Sequence, residues 1–124
     1  MVFAQFSFFG TTLESVRLRR FHPDHEVAFD YSFNDKGKLT GLTGSVDMWG
    51  EWTAEANLYP EKDGTIGPVE AKYYSSGKRD RISRPEGSRE FEDDLSKVLV
   101  YWTIQALPCG SRLQEAEKMN ATQE

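Results

Sequence analysis

A chain of 124 residues, 38% hydrophobic, 13% aromatic and 28% charged, suits one folded domain and is too apolar for a disordered tract. A formal net charge of −5 argues against a general nucleic-acid binder, because the phosphate backbone repels such a surface overall, and says little about a local basic patch. With Cys109 as its single cysteine the chain can form neither an internal disulfide nor a cysteine-based zinc cluster, and no apolar run is long enough to span a membrane.

The chain opens on an apolar run, Met1 to Phe9. It reads as a strand with Phe6 and Phe8 on one side and Phe9 on the other. The alternative is the remnant of a cleaved secretion signal, which would place the protein in a secreted or periplasmic setting. We prefer the strand. A second run, Leu13 to Phe21, alternates through Val16 and Leu18, with Arg17 and Arg19 facing the other way. His22-Pro23-Asp24-His25 interrupts it, since proline removes a ladder donor and aspartate favours turns.

The clearest strand follows. Val27, Phe29, Tyr31 and Phe33 share one parity, and Ala28, Asp30, Ser32 and Asn34 share the other, as expected for a sheet covered on one side. Asn34-Asp35-Lys36-Gly37 is a hairpin turn. Leu39 to Trp49 reads as a strand weakened by Gly41 and Gly44, which let it bend or approach another backbone closely. Apolar or small residues keep one parity from Leu42 through Leu58. A two-residue loop would reverse that parity, so the pattern predicts a three-residue loop, Trp49-Gly50-Glu51, rather than one overlong bent strand. Tyr59 to Gly64 is a further turn, Val69 to Tyr74 a further strand, and Asp80 to Ser83 a short edge piece.

Ser88 to Leu107 then reads as a single amphipathic helix, with Phe91, Leu95, Val98, Leu99, Trp102 and Ala106 stacked at three- and four-residue spacing. Its start is either a capping box of Ser83 with Glu86 or a later cap at Ser88 after Gly87; Pro108 and Gly110 stop it. The second half of this segment has little polar face, which implies burial all round or contact with another molecule. The expected architecture is α+β: a curled antiparallel β-meander of five to seven strands packed against one C-terminal α-helix. Residues 1–110 form this domain, and residues 111–124 form a polar tail, frayed or disordered.

No spacing assigns catalytic, metal or cofactor residues. His22 and His25 form a His-x-x-His pair to which Asp24 could add an oxygen ligand, but the motif straddles a proline turn and the chain has no third histidine, so two solvated loop histidines are the plainer reading. Asp47, Glu51 and Glu55 fall on the polar side of the middle hairpin, where any half-exposed sheet carries carboxylates. Lys78, Arg79, Arg81 and Arg84 are candidates for anion binding, with solvated turn charges as the plainer reading. The aromatic residues Trp49, Trp52, Tyr59, Tyr73 and Tyr74, together with Tyr101 and Trp102, are candidates for a ligand or partner surface. Trp52 and Tyr73 fall in the core if they face the helix.

Three functional readings follow. The leading one is a non-catalytic binding or protein-interaction domain, including self-association, that uses the apolar C-terminal helix or the aromatic sheet face. The second is a carrier of a small apolar ligand in a cavity between sheet and helix. The third is a small enzyme using the sheet carboxylates or the two histidines. Charge argues against general nucleic-acid binding in all three.

Overall fold

Turn residues divide the first three-quarters of the chain, and alternation decides which face each strand buries. A computed structural model describes residues 2–10, 12–76 and 80–107, with the backbone alone for 2 and 3. Seven strands run in chain order: β1 (Val2–Phe9), β2 (Thr12–Phe21), β3 (Glu26–Phe33), β4 (Leu39–Met48), β5 (Trp52–Asn57), β6 (Lys72–Ser75) and β7 (Arg81–Ile82). Each pairs antiparallel with the next, giving one sheet of order β1-β2-β3-β4-β5-β6-β7. One α-helix, α1 (Arg89–Ser96), packs on it. Among the described residues the fold is therefore an α+β antiparallel meander with one α-helix, α1, packed on it from the C-terminal region.

The turns behave as their residues dictate. Gly37 takes φ 74° after Asn34, whose Oδ1 accepts hydrogen bonds from the Lys36 and Lys38 amides. Met48 pairs with Trp52, so the loop between β4 and β5 is the three residues Trp49-Gly50-Glu51, with Gly50 at φ 81°. Pro60 bridges Ile66, closing the turn that the Tyr59–Gly64 sequence predicts. The predicted strand from Val69 is shorter than expected: only Lys72–Ser75 joins the ladder, and residues 68–71 run outside it.

The core lies on one face of the sheet. Val16, Val27, Tyr31, Leu42, Val46, Trp52, Ala54 and Tyr73 are buried there beneath Leu95, Val98, Ile104 and Leu107. Leu95, 1% exposed, sits over β4 at Gly44; a Cβ on that glycine would lie 2.7 Å from Leu95 Cδ2 and 3.3 Å from Leu58 Cδ1. Phe91 meets Trp52 edge-on at 5.5 Å between ring centroids, and Trp52 meets Tyr73 likewise at 5.6 Å.

The helix begins at the later of the two predicted starts, with Ser88 as its cap after Gly87 at φ 81°. Ser88 is in a helical conformation and its side chain makes no capping bond. Its buried Oγ, like the buried Tyr73 hydroxyl, has no hydrogen-bond partner among the described residues.

The continuous helix expected over Ser88 to Leu107 is not formed. It ends at Ser96, and the chain continues as an extended strap to a 3₁₀ turn at Ile104–Ala106. Val98, Val100, Tyr101, Trp102, Thr103 and Ile104 are β-branched or aromatic and lose side-chain freedom in a helix. The strap finds backbone partners elsewhere. The Leu39 amide donates to the Trp102 carbonyl at 2.8 Å, the Ile104 amide donates to the Gly37 carbonyl at 2.9 Å, and Lys38 bridges Thr103. The Tyr31 hydroxyl donates to the Leu99 carbonyl at 2.8 Å, and the Tyr31 and Tyr101 rings lie 5.4 Å apart. Consequently Leu99 (68% exposed) and Trp102 (44% exposed) are not parts of a buried stripe. Pro108, Cys109, Gly110 and the predicted tail at 111–124 lie outside the described residues.

Two expectations follow from this packing. Leu95→Ala should cost about 2–5 kcal/mol by leaving a cavity over Gly44, and Gly44→Ala about 1–3 kcal/mol by overpacking the same contact, both measured by urea unfolding. Burial pushes the Tyr31 phenol well above its ordinary range, with Tyr101 adding to the effect, and burial also raises Tyr73. The unfolded chain therefore releases these protons first, near pH ~10, and stability should fall as pH rises through that value. Tyr31→Phe should lose about 1 kcal/mol at neutral pH with its hydrogen bond and show a shallower alkaline decline in the same assay.

Candidate functional site

One end of the sheet is left open by the size of its cover. An eight-residue helix is about 12 Å long and 10 Å across, whereas seven strands at about 4.8 Å spacing span roughly 29 Å. With α1 centred over β4, strand β1 lies at the margin. Phe6 pairs with Val16 and Phe8 with Leu13, so both project on the core side of the sheet, yet each is 38% exposed. Phe9, on the other side, is 77% exposed. The long side of β1 away from β2 has no strand partner among the described residues.

β1 is also unguarded in composition. Its eight residues, VFAQFSFF, include no charge, proline or glycine. The register shift against β2 lies opposite the Ser7–Phe8 step, where Glu14 of β2 is passed over; β1 itself keeps strict alternation. At the opposite margin β7 is two residues long and carries Arg81. Short strands and charges are the usual protection against edge-to-edge pairing, and only one of the two margins has them.

The face of the sheet away from α1 is polar. Arg17 and Asp30 form an ion pair at 2.8 Å. Arg19 grips the nearly buried Glu26 with two hydrogen bonds, of 2.5 and 3.1 Å, and this contact raises the guanidinium pKa. Arg19 also lies over the Phe21 ring at 4.8 Å, and Phe21 stacks on Trp49. A hollow of about 860 Å³ on this face is lined by Arg17, Asp30, Thr43, Ser45, Asp47, Thr53, Glu55, Asn57, Tyr59, Glu70 and Lys72, among others. A second, of about 280 Å³, lies between Leu39, Leu58, Tyr59, Pro60 and Trp102. The space between helix and sheet is filled by Leu95, Phe91, Trp52 and Tyr73.

Of the sequence-predicted residues, Asp47, Glu55 and Tyr59 line the larger hollow together, and the others are distributed. Trp52 and Tyr73 are core, and Tyr74 and Tyr101 are half-buried. Trp49 is exposed in the β4–β5 loop, while Tyr59 and Trp102 are exposed together at the smaller hollow. Asp47 is level with Glu26 and Thr53, Glu55 is level with Lys72, and Glu51 is in the loop. Arg84 pairs with Glu92 at 3.1 Å, and Arg81 is exposed beside Tyr74 in register; Lys78 and Arg79 lie outside the described residues.

His22 and His25 stack at 4.4 Å, with His25 Nδ1 2.7 Å from Asp24 Oδ1, a contact that holds the Asp24 carboxyl below its usual range. His25 also packs edge-on against Phe91. Among the described residues no group of three or more histidine, cysteine or acidic side chains is placed to hold a metal, and no helix is long and apolar enough to cross a membrane.

The β1 margin is the feature that motif reading passes over. Its signal was present as an uncharged strand with phenylalanine on both parities, but which end of a sheet a helix leaves bare is not written in local pattern. Comparison with known family models, with curated proteins and with solved structures yields no significant match to this chain.

Proposed function

We propose that this chain is a non-catalytic protein-interaction domain that binds through the open margin of β1, where a partner strand extends its sheet. The observation that carries this reading is the pairing of an eight-residue, uncharged edge strand with three exposed phenylalanines at that margin. Backbone donors and acceptors of an edge supply affinity in strand addition, and alternating side chains supply register. The packed interior favours this over a carrier, because Phe91, Leu95, Trp52 and Tyr73 occupy the space between helix and sheet. An enzyme has less support: Asp47 and Glu55 line the polar hollow on the face away from α1, but the two stacked histidines are not part of its lining, whereas acid–base work needs groups converging on one reacting atom.

The partner surface differs from the one expected on sequence. Half of the anticipated apolar helix is a strap whose exposed side chains, Leu99 and Trp102, are separate from β1. A photo-crosslinking phenylalanine analogue at Phe9, compared with one at the similarly exposed Tyr59, separates the two surfaces. In cells expressing the chain, position 9 should give one discrete adduct that Phe6→Lys removes, and position 59 should not. Equal adduct patterns at both positions, or none at position 9, would rule out the β1 margin.

A further inference from the structure

We infer that the strand occupying the β1 margin is β1 of a second copy of this chain, laid antiparallel about a two-fold axis through Phe6. This rests on the strand-addition reading and names its partner. The pattern around Phe6 is self-complementary. A two-fold axis at this residue sets Gln5 opposite Ser7 of the second copy, polar against polar. It sets Ala4 opposite Phe8, small against large, and Phe6 opposite itself. Residues directly opposed in a sheet share a face, so the phenylalanines on the core side meet one another and both helices lie on the same side of one continuous sheet.

Neighbouring registers do worse. An axis through Gln5 opposes Ser7 to Phe3, and one through Ser7 opposes Gln5 to Phe9. An axis between residues would turn the apolar face of one copy towards the polar face of the other.

Charge also permits the arrangement. β1 has none to oppose to itself. The flanking strand β2 is basic at one end, with Arg17, Arg19 and Arg20, and carries Glu14 near the other. Following the pairing of Gln5 with Arg17 and of Ser7 with Ser15, the antiparallel axis sets Arg17 level with Ser15 of the second copy. The basic ends of β2 therefore point away from each other, and no like charges are brought level.

The test uses the full chain carrying Cys109→Ser, with single cysteines added. Directly opposed residues in an antiparallel pair have Cα atoms about 4.5–5.5 Å apart, within disulfide reach. Under mild oxidation Phe6→Cys should form a dimer on its own. Ala4→Cys and Phe8→Cys should link efficiently when mixed and poorly when separate. In sedimentation velocity the unmodified chain should show a monomer–dimer equilibrium. Phe6→Lys, which opposes like charges on the axis, should weaken it at least roughly tenfold. Ser7→Pro, confirmed folded by near-ultraviolet circular dichroism, provides a second disruption.

Equal linking at all three positions would overturn the inference by showing unregistered aggregation. A monomer at high concentration that forms none of these links would also overturn it. If the position 9 adduct persists in cells in that case, strand addition stands with a different partner; if that adduct is missing too, both readings fall.

Discussion

The contact between Leu95 and Gly44 governs how this molecule is assembled. A helix can approach a sheet this closely only where the strand beneath has no side chain, and a methyl group at that place would stand 2.7 Å from the leucine. The glycine that weakens β4 as a strand is thus the notch that seats the helix. Because the notch is on the central strand, a helix of eight residues covers the middle of the sheet and leaves its first margin only partly covered, with Phe6 and Phe8 each 38% exposed. Core packing and the exposed aromatic strand are two results of one placement.

Once α1 stops at Ser96, the following residues need backbone partners, and the start of β4 supplies them through Gly37 and Leu39. Tyr31 reaches from β3 to hold Leu99, so the strap is pinned to the same hairpin at two heights. This explains where reading by periodicity went astray. Phe91 and Leu95 do form a helical stripe, but the three- and four-residue spacing continues by coincidence through a run of β-branched and aromatic residues. Weak helix propensity there meets a competing set of hydrogen bonds that only the folded hairpin creates, and tertiary pairing wins. The loop at Gly50 is legible in the sequence for the opposite reason: its length follows from the parity of two adjoining strands, all local.

The functional residues divide along the same line. Alternation put Trp52 on the apolar parity of β5, where it is buried, because facing is a local property of a strand; Trp49 and Tyr59 lie beyond the two ends of that strand and are exposed. Whether separate exposed residues converge is a property of the whole sheet, and the predicted aromatic set does not form one surface. The Arg19–Glu26 and Arg17–Asp30 pairs were equally invisible beforehand, since they depend on the register of β2 against β3. The width of the sheet relative to its helix belongs to this class. It has to be seen assembled before the margin at β1 acquires meaning.

The energetics of such a margin set the kind of association it supports. Water already satisfies the outer amides and carbonyls of β1, so each hydrogen bond to an added strand gains only about 0.5–1.5 kcal/mol net. Registered pairing is therefore specific without being strong, and strength must come from apolar area. Phe6 and Phe8 are partly covered by their own domain, and only the remaining exposed area is available to a partner. Association also loses translational and rotational freedom worth several kcal/mol. A margin with three phenylalanines and one strand of contacts thus favours a reversible, concentration-dependent complex. The contact is made stricter in register than in strength by the alternation of Ala4, Phe6 and Phe8 with Gln5 and Ser7.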